Sequence, residues 1–100
     1  MPQRRAPSAD GPTHVWIFHG EGARFASGVF ADESSGLAWV ARHRLSGILA
    51  KYPVGDGCYD VAVTEGRFTP TKPHHGSPAH VAGFGPGYEH VHVCKGQPDT

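Results

Sequence analysis

The chain has almost no excess charge of either sign. Nine Lys and Arg stand against nine Asp and Glu in 100 residues, for a formal net charge of zero with histidine neutral. Binding to nucleic acid or to an anionic membrane leaves a basic excess, so neither partner is expected. Cysteine is also scarce. Cys58 and Cys94 cannot build a disulfide framework, and without a C-x-x-C pair there is neither a zinc knuckle nor a thioredoxin-type motif. Two reduced thiols suit a cytoplasmic protein. Long apolar runs are missing as well. The longest, at 15–18, is far short of a membrane span. The N-terminal stretch M-P-Q-R-R-A-P-S-A-D-G-P-T has two arginines with no apolar run behind them, so it does not read as a signal peptide.

Apolar residues make up 38% of the chain and charged residues 18%, while Gly (14) and Pro (9) are plentiful, so turns and loops take a large share. A chain of this length forms one domain with a modest core. Histidine is the outlier. There are eight, and five of them (His74, His75, His80, His90 and His92) lie near the C-terminal end.

Residues 1–13 lack periodicity and predict a disordered tail. Residues 14–19 read as a strand with both faces apolar: Val15 and Ile17 on one, Trp16 and Phe18 on the other. Gly20 and Gly22 mark a turn, and a second strand returns over 26–31. Asp32 predicts a helix N-cap. Leu37, Val40, Ala41 and Arg44 then recur at helical spacing over about 11 residues. Gly47 reads as the exit turn of that helix.

A third strand follows over 48–52. A second helix is expected over 58–65, although Val61, Val63 and Thr64 are β-branched and also suit a strand. Ser77-Pro78 opens a short third helix, which the glycines from Gly83 onward end. Residues 88–94 alternate, with Glu89, Val91 and Val93 on one face and Tyr88, His90, His92 and Cys94 on the other. Residues 95–100 are expected to fray. The result is an α+β fold: a small two-layer sandwich on a mostly antiparallel sheet of about four strands, in chain order β-β-α-β-α-α-β, with one domain over 14–96 and a frayed end over 97–100.

Three groups of residues point to chemistry. His90 and His92 sit two apart on a strand, roughly 6.6 Å along one face. Two imidazoles so placed suit a divalent ion such as zinc if a third ligand joins them; His19, Glu21, His74 and His75 are the candidates. Read plainly, the pair is the polar face of a half-buried strand. His74-His75 is a loop pair held to a narrow path by Pro73 and Pro78. Read plainly, it is a solvated loop.

His19, Glu21 and Arg24 form the third group, at the tip of the first hairpin. His19 suits a general base near neutral pH, Glu21 suits orienting it, and Arg24 suits a forked bond to a carboxylate or phosphate. The plain alternative is a turn with an exposed ion pair. Cys58 and Cys94 would be nucleophiles only with a lowered pKa; Cys94, beside His92, is the better placed.

The motifs H-G-E-G-A-R-F at 19–25, G-V-F at 28–30, S-G-I-L-A-K-Y-P at 46–53, Y-D-V-A at 59–62, H-H-G-S-P at 74–78 and E-H-V-H at 89–92 resemble those of a family of small uncharacterised bacterial proteins. The resemblance spans about residues 14–96. It implies a compact domain and transfers no catalytic role.

Three functions fit these residues. The first is a binding module whose His/Glu/Arg face meets a partner protein or a small anionic ligand, in a regulatory or immunity-like role. The second is a small enzyme that uses the clustered His and Glu as metal ligands or acid–base groups. The third is pH sensing through the histidines.

Overall fold

A computed structural model describes residues 12–99, so the tail expected over 1–13 lies, up to residue 11, outside the described residues. The elements in chain order are β1 (His14–Gly20), β2 (Ala26–Phe30), α1 (Glu33–His43), β3 (Gly47–Pro53), α2 (Cys58–Thr64), α3 (Pro78–Ala82), β4 (His90–Cys94) and β5 (Gln97–Pro98). The chain divides into two compact bodies. One holds residues 14–52 and 88–99 and contains the sheet and α1. The other holds 53–87 with α2 and α3.

The sheet has five antiparallel strands in the order β2-β1-β3-β4-β5. The hairpin expected at the start is present, with Ile17 opposite Val29 and Phe18 opposite Gly28. Its register shifts between Phe18 and His19, where Ser27 is the extra residue on β2, a β-bulge at the sheet edge. Between β1 and β3, the Glu21 N–H donates to the Ser46 carbonyl and the Val54 N–H to the Thr13 carbonyl, each at 3.0 Å. The intervening stretches are equally long, so Phe18 faces Leu49 and His19 faces Ile48. On the far side of β3, Leu49 faces Val91 and Ile48 faces His92.

This register sorts side chains by face. Phe18, Leu49, Val91 and Val93 share the face on which α1 lies; Phe18, Leu49 and Val93 form the core with Val40 of α1, and Val91 packs against it half-buried. Phe18, Val40 and Leu49 are almost wholly buried. Trp39 of α1 closes the edge with its ring 5.7 Å from Phe18 and 5.4 Å from Phe30. Asp32 caps α1 as its sequence position predicts: its carboxylate accepts from the Ser35 N–H at 2.8 Å and from the Ser34 hydroxyl at 3.0 Å. These bonds hold its carboxyl below the usual carboxylate range.

Two glycines let backbones approach closely. A methyl on Gly36 of α1 would lie 2.8 Å from Leu49, and one on Gly47 would lie 2.3 Å from the His19 carbonyl oxygen. Gly47 therefore belongs to β3 rather than to the helix exit. The exit is Arg44, whose left-handed backbone (φ 56°) turns its N–H back to the Val40 and Ala41 carbonyls.

The expected four strands become five. Lys95 and Gly96 both have positive φ (52° and 87°) and form a two-residue turn that returns the chain beside β4. Residues expected to fray are tied down. Lys95 N–H donates to Ser46 Oγ at 2.9 Å, Gly96 N–H to the Leu45 carbonyl at 2.8 Å, and Asp99 N–H to the His92 carbonyl at 2.7 Å. Pro98 is tolerated because β5 is an edge strand.

In the other body the β-branched residues do not prevent α2 from forming. Its buried residue is Ala62. Tyr59, Phe68 and Phe84 pack edge to face or tilted, with centroids 5.1–5.9 Å apart. α3 starts at the expected cap, where Ser77 Oγ accepts from the His80 N–H. Among the described residues no helix is long and apolar enough to cross a membrane.

Leu49→Ala is expected to cost about 2–5 kcal/mol. Gly47→Ala should destabilise as well, because backbone rather than a flexible side chain blocks the added methyl. Urea unfolding measures both; a Gly47→Ala protein as stable as the parent would contradict the close approach of β1 and β3.

Candidate functional site

The face of the sheet opposite the Phe18–Leu49 core carries the row His19, Ile48 and His92, one residue from each of three neighbouring strands. Ile48 is 40% exposed, so α1 leaves this row open. Around the row lies a cleft of about 630 Å³. It is lined by His19, Glu21, Ile48, His92, Cys94 and Asp99, together with Gly20, Gly22 and Ala23 of the hairpin loop. The first hairpin and the last long strand thus contribute to one surface, with β3 between them.

His19 is held by its own loop: its Nε2 meets the Ala23 carbonyl oxygen. A carbonyl only accepts, so Nε2 carries a proton, and in the neutral ring the lone pair is at Nδ1. Glu21 reaches the cleft because its N–H is fixed to Ser46 across the strand pair. Asp99 reaches it through the Lys95-Gly96 turn and its own bond to the His92 carbonyl. Two carboxylates and two imidazoles therefore share the cleft with one exposed thiol, Cys94.

Other candidates fall elsewhere. His90 lies on the same strand face as His92, with ring centroids 5.0 Å apart, but one row further on, opposite Ala50 and outside the cleft. Arg24 is exposed and does not line the cleft. Ion pairs among the described residues include Lys51–Glu89 (3.7 Å) and Arg67–Glu65 (2.9 Å).

His74 and His75 belong to the other body, where they meet His80. The three ring centroids lie 4.5, 5.0 and 5.6 Å apart. Nδ1 of His75 accepts from the Thr71 and Lys72 N–H groups at 3.0 and 3.1 Å, and Nδ1 of His80 accepts from the Gly76 N–H at 3.2 Å. Those lone pairs are occupied. Among the described residues no three His, Cys, Asp or Glu side chains are grouped to hold a metal ion. Desolvation, and then repulsion from His74, His80 and Lys72, holds the His75 imidazole below its ordinary value.

Burial pushes the Cys58 thiol up, which keeps it protonated and argues against a nucleophilic role.

Sequence reasoning missed the parts of Asp99 and His80. Asp99 was hidden by a turn, K-G, that lacks the usual Asn-Gly or Asp-Gly signal. His80 had a usable signal in S-P-A-H: Ser as cap and Pro at the first helical position put His80 in the first turn, facing back toward the preceding loop.

A small α+β domain, then, carries an open cleft of histidines and carboxylates on the face of its sheet opposite α1. The chain belongs to the family described as Domain of unknown function (DUF7710), whose model matches residues 15–99. No curated protein and no solved structure matches it.

At a pH where the rings are neutral, His19, His75 and His80 should all be Nε2–H tautomers. Long-range proton–nitrogen correlation spectra distinguish the two nitrogens; an Nδ1–H signature at His75 would contradict the amide bonds assigned to that ring.

Proposed function

We propose that the protein is a small binding module whose ligand seat is the cleft over His19, Ile48 and His92. The observation that carries this reading is the convergence of residues from β1, β3 and β4, and from the turn beyond β4, on one open space of about 630 Å³. That volume falls within the range of small-molecule sites, which pair an apolar floor with a few polar groups. Ile48 supplies the floor. His19 Nδ1 supplies an acceptor, and Glu21 and Asp99 supply negative charge.

This composition changes the class of ligand. Arg24, the group suited to an anion, stands outside the cleft, whereas two carboxylates line it. A ligand bearing an amine or another hydrogen-bond donor fits better than a small anion or a phosphate. The unpaired thiols Cys58 and Cys94 support placing this module in the cytoplasm.

A second reading, a small acid–base enzyme, draws on the same cleft. There a neutral His19 would offer Nδ1 in a cleft also lined by Glu21 and His92, a set of groups suited to moving a proton. The two readings differ in outcome, since an enzyme consumes the ligand it binds.

A thermal-shift panel of small amines, guanidinium compounds, carboxylates and phosphates is expected to yield hits among the cations. Ile48→Trp, which fills the cleft from an exposed position, should weaken any hit at least about tenfold, as expected where a buried contact worth about 1.4 kcal/mol is lost. Hits confined to anions, or affinity unchanged by Ile48→Trp, would place the seat elsewhere.

A further inference from the structure

We propose that His75, seated against His80, is a pH-operated latch, which holds the loop around residues 71–77 against the aromatic cluster of α2 and α3 when neutral and releases it when protonated. The latch lies outside the body that holds the cleft and does not depend on the binding reading.

Each Nδ1 accepts backbone N–H groups: two at His75, from Thr71 and Lys72, and one at His80, from Gly76. A protonated imidazole has only donors. A proton at Nδ1 of His75 would point an N–H at two other N–H groups, turning attraction into repulsion. Two of the bonds fold the loop onto its own His75 ring, which packs on Phe68, and the third ties Gly76 to His80 of α3, so the His75 pair is lost as that ring charges and the loop loses its hold.

The surroundings reinforce this. His75 stacks edge to face on Phe68 at 4.9 Å and lies 5.0 Å from His80, and His80 in turn meets Tyr59 and Phe84 at 5.6 and 5.5 Å. Among the described residues, the charged and titratable groups that bear on the two rings include Lys72 and His74 from the loop, and Tyr59 from α2. Lys72 is already cationic, so a second positive charge is repelled.

The sign follows from linkage. The closed loop disfavours the proton at His75, while an opened loop restores the ring to its ordinary value of 6.5. The open state therefore binds more protons below about pH 6.5. The latch is fully closed above that pH and weakens as pH falls through it.

The test follows amide exchange at Thr71, Lys72 and Gly76 in the full chain, corrected for the intrinsic rate, between about pH 7.5 and pH 5. Protection is expected to fall about tenfold on acidification, the scale of one lost hydrogen bond. In a His75→Asn/His80→Asn variant, Oδ1 takes the place of Nδ1 as an acceptor that does not titrate, and protection should hold. Constant protection in the parent, or the same loss in the variant, overturns the latch. Should the variant fail to fold, the parent alone decides. A His75 ring that becomes charged while the Thr71 and Lys72 amides stay protected also overturns it.

Discussion

The register between β1 and β3 is the constraint on which the sheet and its cleft depend. A slip of one residue would send every side chain of a strand to the other face. Here the bonds from Glu21 to Ser46 and from Val54 to Thr13 bracket the pair, and Gly47 lets the two backbones meet where any side chain would strike the His19 carbonyl. With that register fixed, Phe18 and Leu49 are committed to the core beneath α1. His19 and Ile48 are committed to the opposite face. The cleft is thus a consequence of core packing: the same alternation that buries Leu49 exposes Ile48 beside it.

The helical face of α1 serves the same constraint from the other side. Gly36 and Val40 are its buried residues. Glycine inside a helix costs roughly 0.5–1 kcal/mol relative to alanine, yet at Gly36 a methyl would overlap both branches of Leu49. Close seating of the helix on the central strand outweighs helix propensity here. Trp39 and Phe30 then cover the flank of the core that faces β2.

Much of this was legible in the sequence. Alternation placed β1 and β4, and the return after the Gly20–Gly22 turn and a short apolar run placed β2 and β3, each to within a few residues; the Asp32 and Ser77 caps located the starts of α1 and α3. Periodicity also separated Val91 and Val93 from His90 and His92. What remained hidden depended on contacts between distant segments. Gly47 read as a helix exit because nothing local reveals that His19 lies against it. The strand β5 was invisible because two residues carry no period, and its pairing rests on a turn whose Lys95 adopts an uncommon positive φ.

The histidine-rich end of the chain separated along the same lines. Proximity in sequence suggested one cluster from His74 to His92. The fold distributes them: His92 joins the cleft, His90 stands one row away, and His74 and His75 meet His80 beside Phe68. Arg24 was expected to act with His19 and Glu21 because all three share a hairpin tip, but the bulge at Ser27 and the Glu21–Ser46 bond organise that tip, and Arg24 is left outside the cleft. The measurement that bears most directly on this account is the set of nuclear Overhauser contacts from the Ile48 methyl groups. Contacts to ring protons of both His19 and His92 are predicted; contacts to Val40 and Leu37 of α1 instead would reverse the register and contradict it.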